Sequence, residues 1–142
     1  MIEVKFQKVI IDILKSEGSF GYKLSNRFSV GVSDLLLRID DKLVLCECKR
    51  VVTPRYDSPL LNNDIGIQPN QSKFLRDFRV GIILVLTETP DGDKVRVTLL
   101  PKEAVKITRT KHEIPFKPRT NKLERSLTQT IREFCNENGV FA

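Results

Sequence analysis

Two nearly continuous apolar runs, residues 35–39 and 42–48, flank the acidic pair Asp40-Asp41 and anchor the reading of the chain. Runs this short, partly β-branched and separated by two polar residues, predict a β-hairpin with a two-residue turn. Upstream, Ile2, Phe6, Val9, Ile10, Ile13 and Leu14 recur at helical spacing and Gly18 follows them, which predicts an amphipathic first helix. Residues 21–28 read as a first strand, with Asn26 and Arg27 near the turn that delivers Val30-Gly31-Val32. Gly31 there supplies a backbone bend or a close approach to a bound group.

Downstream of the hairpin the periodicity lapses. Residues 53–68 hold Pro54, Pro59, Asn62, Asn63 and Gly66 and read as a long loop, of the kind that often covers a site. Gln68-Pro69 then opens a helix to Phe78, with Pro69 at its first position, Gln71 at its third, and Phe74, Leu75 and Phe78 on its apolar face. Residues 81–87 predict a buried strand, Asp91-Gly92 a turn, and residues 94–100 a further strand with Val95, Val97 and Leu99 on one face. Leu123, Leu127, Ile131 and Phe134 trace a last helix, capped by Asn121 with Glu124 as third-position partner and ended by Gly139. The expected architecture is an α/β domain, a central mixed β-sheet flanked by helices. Residues 1–101 form its core and 102–142 a basic extension whose terminal helix packs on the same domain, with residues 115–118 the one linker-like stretch.

A chain of 142 residues, 40% hydrophobic, buries about two-thirds of its unfolded surface and needs no disulfide staples. Its three cysteines make neither an even disulfide set nor a C-x-x-C pair and read as reduced thiols. No apolar run approaches the roughly 20 residues of a membrane span, and residues 1–8 lack the apolar core of a signal peptide, so an intracellular protein is expected.

Charge changes the picture more. The formal net charge is +6, and from Lys102 to Arg125 eight Lys and Arg stand against only Glu103, Glu113 and Glu124. Such a stretch is an electrostatic footprint for phosphate backbones, with Lys106, Arg109, Lys111, Lys117 and Arg119 as candidate contacts. It suits a solvated surface or an acidic partner protein as well. His112, the sole histidine, sits in this stretch and reads as a surface residue.

The hairpin register carries the chemistry. If Ile39 pairs with Lys42, Asp34 stands opposite Glu47 on the same face, with Cβ atoms about 4.5–5.5 Å apart. Lys49, two residues on, joins them. Carboxylates that close repel unless a positive group lies between them. An all-oxygen pair completed by water and a substrate phosphate suits Mg²⁺ or Mn²⁺ better than zinc. Lys49 beside it would stabilise charge on a transferring phosphate or position a metal-acidified water, which is phosphodiester hydrolysis chemistry. Cys46 and Cys48 alternate with Glu47, so their thiols point to the other face. The competing reading is a surface ion pair of Glu47 with Lys49 or Arg50, worth about 0–1 kcal/mol. Against it, these charges interrupt a strand otherwise apolar on both faces, where charge is costly without a purpose.

Asp34 followed by Glu47-Cys48-Lys49 resembles the D…(D/E)-x-K signature of the PD-(D/E)XK nuclease superfamily. GYKLSNRFSVGVSDLLL, LVLCECKR and Gln71, in that order, resemble its VRR-NUC, Holliday junction resolvase-like branch, over roughly residues 1–88. Ser33 departs from the first letter of the signature. The resemblance implies a restriction-endonuclease-like core in which Asp34, Glu47 and the Cys48 carbonyl hold Mg²⁺ (or Mn²⁺). It implies Lys49 as catalytic lysine, Gln71 as an auxiliary active-site residue and Glu3 as a helix-borne carboxylate. The activity implied is structure-specific cleavage of DNA, at four-way junctions or other branches, by a homodimer. Such stand-alone domains are often phage-encoded, which would place the protein in a host cytoplasm.

Several of these residues have plainer roles open to them. Glu3 at a helix start is stabilised by the helix dipole in any case, and Gln71 at a third helical position can act as a cap. Arg55 and Tyr56 would contact a phosphate or stack on a base, or belong to an ordinary surface loop. Leu60-Leu61 and the last helix are the candidate dimer surfaces. Two other functions stay open: a nuclease for single-stranded, flap or restriction-type substrates, and a non-catalytic module for nucleic acid or a partner protein.

Overall fold

Asp40 and Asp41 both adopt left-handed backbone, with φ of 52° and 63°. Positive φ at both central residues is what a type I′ turn requires, because its twist matches that of the flanking strands. The turn joins β2 (Leu35–Ile39) to β3 (Lys42–Val52), and Ile39 pairs with Lys42 as the hairpin pattern predicts. Arg132 holds the turn from outside, its guanidinium bound to both Asp40 carboxylate oxygens.

The computed structural model describes residues 3–24, 34–52, 81–104 and 110–141. In chain order these contain α1 (Glu3–Ser16), β1 (Phe20–Lys23), β2, β3, β4 (Ile82–Glu88), β5 (Val95–Pro101), β6 (Glu113–Lys117), β7 (Lys122–Leu123) and α2 (Leu127–Glu137). The described strands form one sheet in sequential order, antiparallel throughout except that β3 and β4 run parallel. The α/β architecture with a central mixed sheet and flanking helices is therefore the one the patterning predicts. No described helix is long and apolar enough to cross a membrane.

Strand alternation sorts the side chains onto two faces. One face carries Leu35, Leu37, Val44, Cys46, Cys48, Leu84 and Val97, and α1 and α2 supply Phe6, Ile10, Leu14, Leu127, Ile131 and Phe134 to the same buried cluster. Each such Leu, Ile or Phe is worth about 1.5–3 kcal/mol of burial. Gly21 permits the close approach of α1 to β1, since a Cβ there would meet Ile11 at 3.2 Å and Leu37 at 3.3 Å. Every residue of β4 is buried, as suits a strand next to its parallel partner in mid-sheet. Ile83, Val85 and Leu100 form a smaller cluster on the opposite face.

Several expectations need correction. The first strand is Phe20–Lys23, earlier than residues 21–28, of which 25–28 lie outside the described residues. The N-cap of α2 is Ser126, not Asn121, and Leu123 belongs to β7. Ser126 Oγ accepts from the Gln129 N–H, and the Glu17 carboxylate, from the end of α1, accepts from Leu127 N (3.1 Å) and Thr128 N (2.7 Å). Glu17 thus satisfies amides that a local cap would otherwise have to reach. Gly139, at φ 67°, follows the C-cap Asn138, as expected.

The stretch 115–118 is no linker, because Pro115 lies within β6. Its carbonyl accepts from Glu124 N (3.0 Å), so its missing N–H falls on the outer side of the strand, beside the two-residue β7. Residues beyond 102 thereby add β6 and β7 to the sheet and α2 to its core. His112 is buried, not superficial; its Nε2 lies 3.0 Å from the Glu137 carboxylate and its ring meets Phe134 edge-on at 5.3 Å. The predicted loop 53–68, the helix over 68–78 and the bend at Gly31 lie outside the described residues.

Candidate active site

Pairing in the hairpin is recorded down to Leu35 opposite Cys46, and Asp34 follows at the open end of β2. Its carboxylate takes over where the ladder stops, accepting the Cys48 N–H at 2.9 Å. Its own carbonyl accepts from Leu24 N at 2.9 Å, which ties the site to the end of β1. An extended residue directs its N–H and C=O to the same side of the strand. The Cys48 carbonyl therefore faces the side from which Asp34 approaches.

Glu47 and Lys49 lie on the face turned away from α1 and α2, opposite Ile83 and Val85 of β4. Glu47 is only 1% exposed, and Lys49 Nζ stands 3.6 Å from its Oε1. Burying a carboxylate is expensive unless charge and hydrogen bonds compensate it. The ammonium supplies opposite charge at that depth, so this is not the solvated surface pair of the competing reading. Asp34, Glu47 and Lys49 are thus brought to one end of the hairpin.

The thiols are elsewhere. Cys46 and Cys48 are buried in the main core, and the adjoining Cys46 thiol, with burial, raises the Cys48 thiol well above its ordinary range. Burial pushes the Cys135 thiol up to about 12. Neutral, enclosed thiols are neither ligands nor nucleophiles.

Among the described residues no group of three or more His, Cys, Asp and Glu side chains is placed to hold a metal. Two carboxylates and a backbone carbonyl nonetheless fit Mg²⁺ or Mn²⁺, which commonly takes one or two protein carboxylates and completes its shell with water and phosphate oxygens. The donors are hard oxygens throughout.

Of the other predicted site residues, Glu3 is the first residue of α1, and its side chain is not among those described. Gln71, Arg55, Tyr56, Lys106 and Arg109 lie outside the described residues. Lys111 is exposed and pairs with Glu137 at 2.9 Å. Lys117 and Arg119 are exposed at the far edge of the sheet, by β6 and β7. At about 4.8 Å per strand and 3.3 Å per residue, Lys117 is about 20 Å from Lys49. Lys117 and Arg119 therefore lie well apart from the carboxylates, at the other edge of the sheet. Absent from the sequence reading is the row Phe20, Tyr22, Leu36, Arg38, Leu43 that lines a hollow on the outer strands. The alternation Phe-x-Tyr at 20 and 22 was its visible signal.

No family model and no curated protein matches this chain. Among solved structures it is similar to that of Archaeoglobus fulgidus Hjc, described as a Holliday junction resolvase from an archaeal hyperthermophile. The identity is 14%, the TM-score 0.43, and the match covers 83% of this chain and 90% of that one.

Proposed function

We propose that this protein is a metal-dependent phosphodiesterase acting on DNA. More narrowly, it is an endonuclease of the PD-(D/E)XK superfamily and its VRR-NUC, resolvase-like branch, cutting four-way junctions or related branched DNA. The observation that carries the reading is the pairing of Lys49 with the buried Glu47 on β3, with the Asp34 carboxylate anchored on the N–H of the intervening Cys48.

Asp34, Glu47 and the Cys48 carbonyl would hold Mg²⁺ or Mn²⁺. That ion, when bound, neutralises phosphate charge and lowers the pKa of a coordinated water. Lys49 donates to a phosphate oxygen or to the attacking water, and its ion pair with Glu47 orients the side chain toward the site. Gln71 would orient the same water, and Glu3 would add a further carboxylate. Lys111, Lys117 and Arg119, with Lys106 and Arg109, would grip the phosphate backbone away from the cut. Cleavage of both strands of a symmetric junction needs two sites, so the reading includes a homodimer.

The test is cleavage of labelled four-way junction, flap, single-stranded and linear duplex DNA by wild type and Lys49→Ala, with Mg²⁺, Mn²⁺ or EDTA. Junction-selective cuts that need the metal and fall at least about 100-fold in the variant are expected. Cleavage of another substrate would retain the chemistry and change the task. Binding without cleavage in either metal would replace the enzyme with a binding module.

A further inference from the structure

The strand rows that run into the candidate site are aromatic and open. Phe20 pairs with Arg38, which pairs with Leu43; Tyr22 pairs with Leu36, which pairs with Leu45. Glu47 follows in the next row on the same face and Lys49 in the one after, with Asp34 at the open end of β2. Single exposed apolar residues are ordinary on a protein surface. Here Phe20 (40% exposed), Tyr22 (63%) and Leu43 (54%) are adjacent and line one hollow of about 110 Å³. The Phe20 and Tyr22 rings lie 6.4 Å apart with their planes within 10° of parallel, and the Arg38 guanidinium sits 4.5 Å over the Phe20 ring.

We infer that Phe20 and Tyr22, backed by Arg38, form a stacking platform for unpaired bases next to the Asp34–Glu47–Lys49 site. The inference rests on the phosphodiesterase reading for its orientation and deepens it, by naming the substrate as DNA with unstacked bases beside the bound phosphate. Three observations select a nucleobase as the occupant. Parallel, exposed rings offer flat π-faces, which every base can use. The cations on this face, Arg38 and Lys49, match a polyanion. From the register, Tyr22 is about 12 Å from Glu47, close enough for a base neighbouring a phosphate held at the carboxylates. A continuous duplex keeps its bases stacked and presents no such faces, so branch points and single strands are favoured.

The experiment measures binding in EDTA, where no cleavage intervenes, by fluorescence anisotropy. The probes are a labelled single strand, a four-way junction with unpaired bases at its centre, and a linear duplex, each over a salt series. Tyr22→Ala is expected to weaken the first two by about fivefold or more. The slope of log K against log [salt] should stay unchanged, because no phosphate contact is lost. Duplex affinity should stay unchanged too, and Tyr22→Phe should restore binding. Tyr22 is exposed, so melting of the variants checks only that the fold persists.

Wild-type affinity in Tyr22→Ala would overturn the inference. So would an equal loss on duplex with a shallower salt slope, or a sedimentation shift from dimer to monomer, which would make β1 an interface between copies. Cleavage by wild type alongside an indifferent Tyr22→Ala removes the platform and leaves the phosphodiesterase. Tyr22-dependent binding without metal-dependent cleavage does the reverse.

Discussion

The Asp34 carboxylate accepts the backbone N–H of Cys48 at 2.9 Å, although the two residues are 14 apart in sequence. The bond satisfies a β3 amide at the point where β2 ends, and it fixes the Asp34 carboxylate on the residue between Glu47 and Lys49. The same carboxylate is the one proposed to hold the metal.

Asp34 therefore separates the two roles by substitution. Asp34→Asn keeps a carbonyl acceptor for the Cys48 N–H and loses the charge; its stability should stay within about 0.5 kcal/mol of wild type while metal-dependent cleavage is lost. Asp34→Ala loses both, leaves that amide unsatisfied, and should cost about 1–2 kcal/mol. Urea denaturation of the two variants beside a cleavage assay checks this.

The hairpin turn should titrate. Hydrogen bonding to Arg132 holds the Asp40 carboxyl below its ordinary value of 3.8. A carboxyl depressed in the folded state contributes stability above its unfolded pKa, and that contribution disappears as pH falls from 3.8 through the folded value. Asn tolerates the left-handed backbone at this position, so Asp40→Asn isolates the charge. The variant should be less stable than wild type at neutral pH and equal to it in strong acid, by thermal melts across pH.

Burial of all three thiols predicts their chemical silence. With Cys135 pushed up to about 12 and Cys48 raised well above its ordinary range, thiolate is scarce at pH 8. A chromogenic disulfide reagent should titrate no thiol in the native protein within minutes and three after unfolding. Fast reaction of one native thiol would place it outside the core.

Arg96 is 1% exposed and donates to Glu113 at 3.2 Å, across β5 and β6. Removing one member of a buried pair leaves the other charge poorly compensated. Glu113→Ala should cost about 3 kcal/mol by denaturant unfolding, and adding Arg96→Met should recover part of that loss. A neutral single variant would show that Arg96 is held by its other contacts.

Where local rules decide, sequence and structure agree. A polar pair between two apolar runs admits the I′ hairpin, and period-two alternation then puts Glu47 and Lys49 on one face and Cys46 and Cys48 on the other. The failures come where a distant segment outweighs a local signal. Asn121 and Glu124 have the spacing of a cap, yet Glu17, across the core, satisfies the first amides of α2. Pro115 and Pro118 read as breakers, yet the outer side of β6 has no need of an N–H at Pro115. His112 sits among lysines and arginines, yet Phe134 and Glu137 enclose it.

By itself the sequence determined the hairpin, its register, the first helix, and the sharing of one face by Glu47 and Lys49, because these depend on neighbours a few residues apart and on the fixed two-residue repeat of a strand. Tertiary structure alone decided which face the helices cover, that β4 lies parallel against β3 beside Glu47, that Lys117 and Arg119 sit at the far edge, and that Phe20 and Tyr22 share the face of Glu47. Alternation says which side chains share a face, but only long-range pairing, favoured by the burial of both sides of β4, says what that face meets.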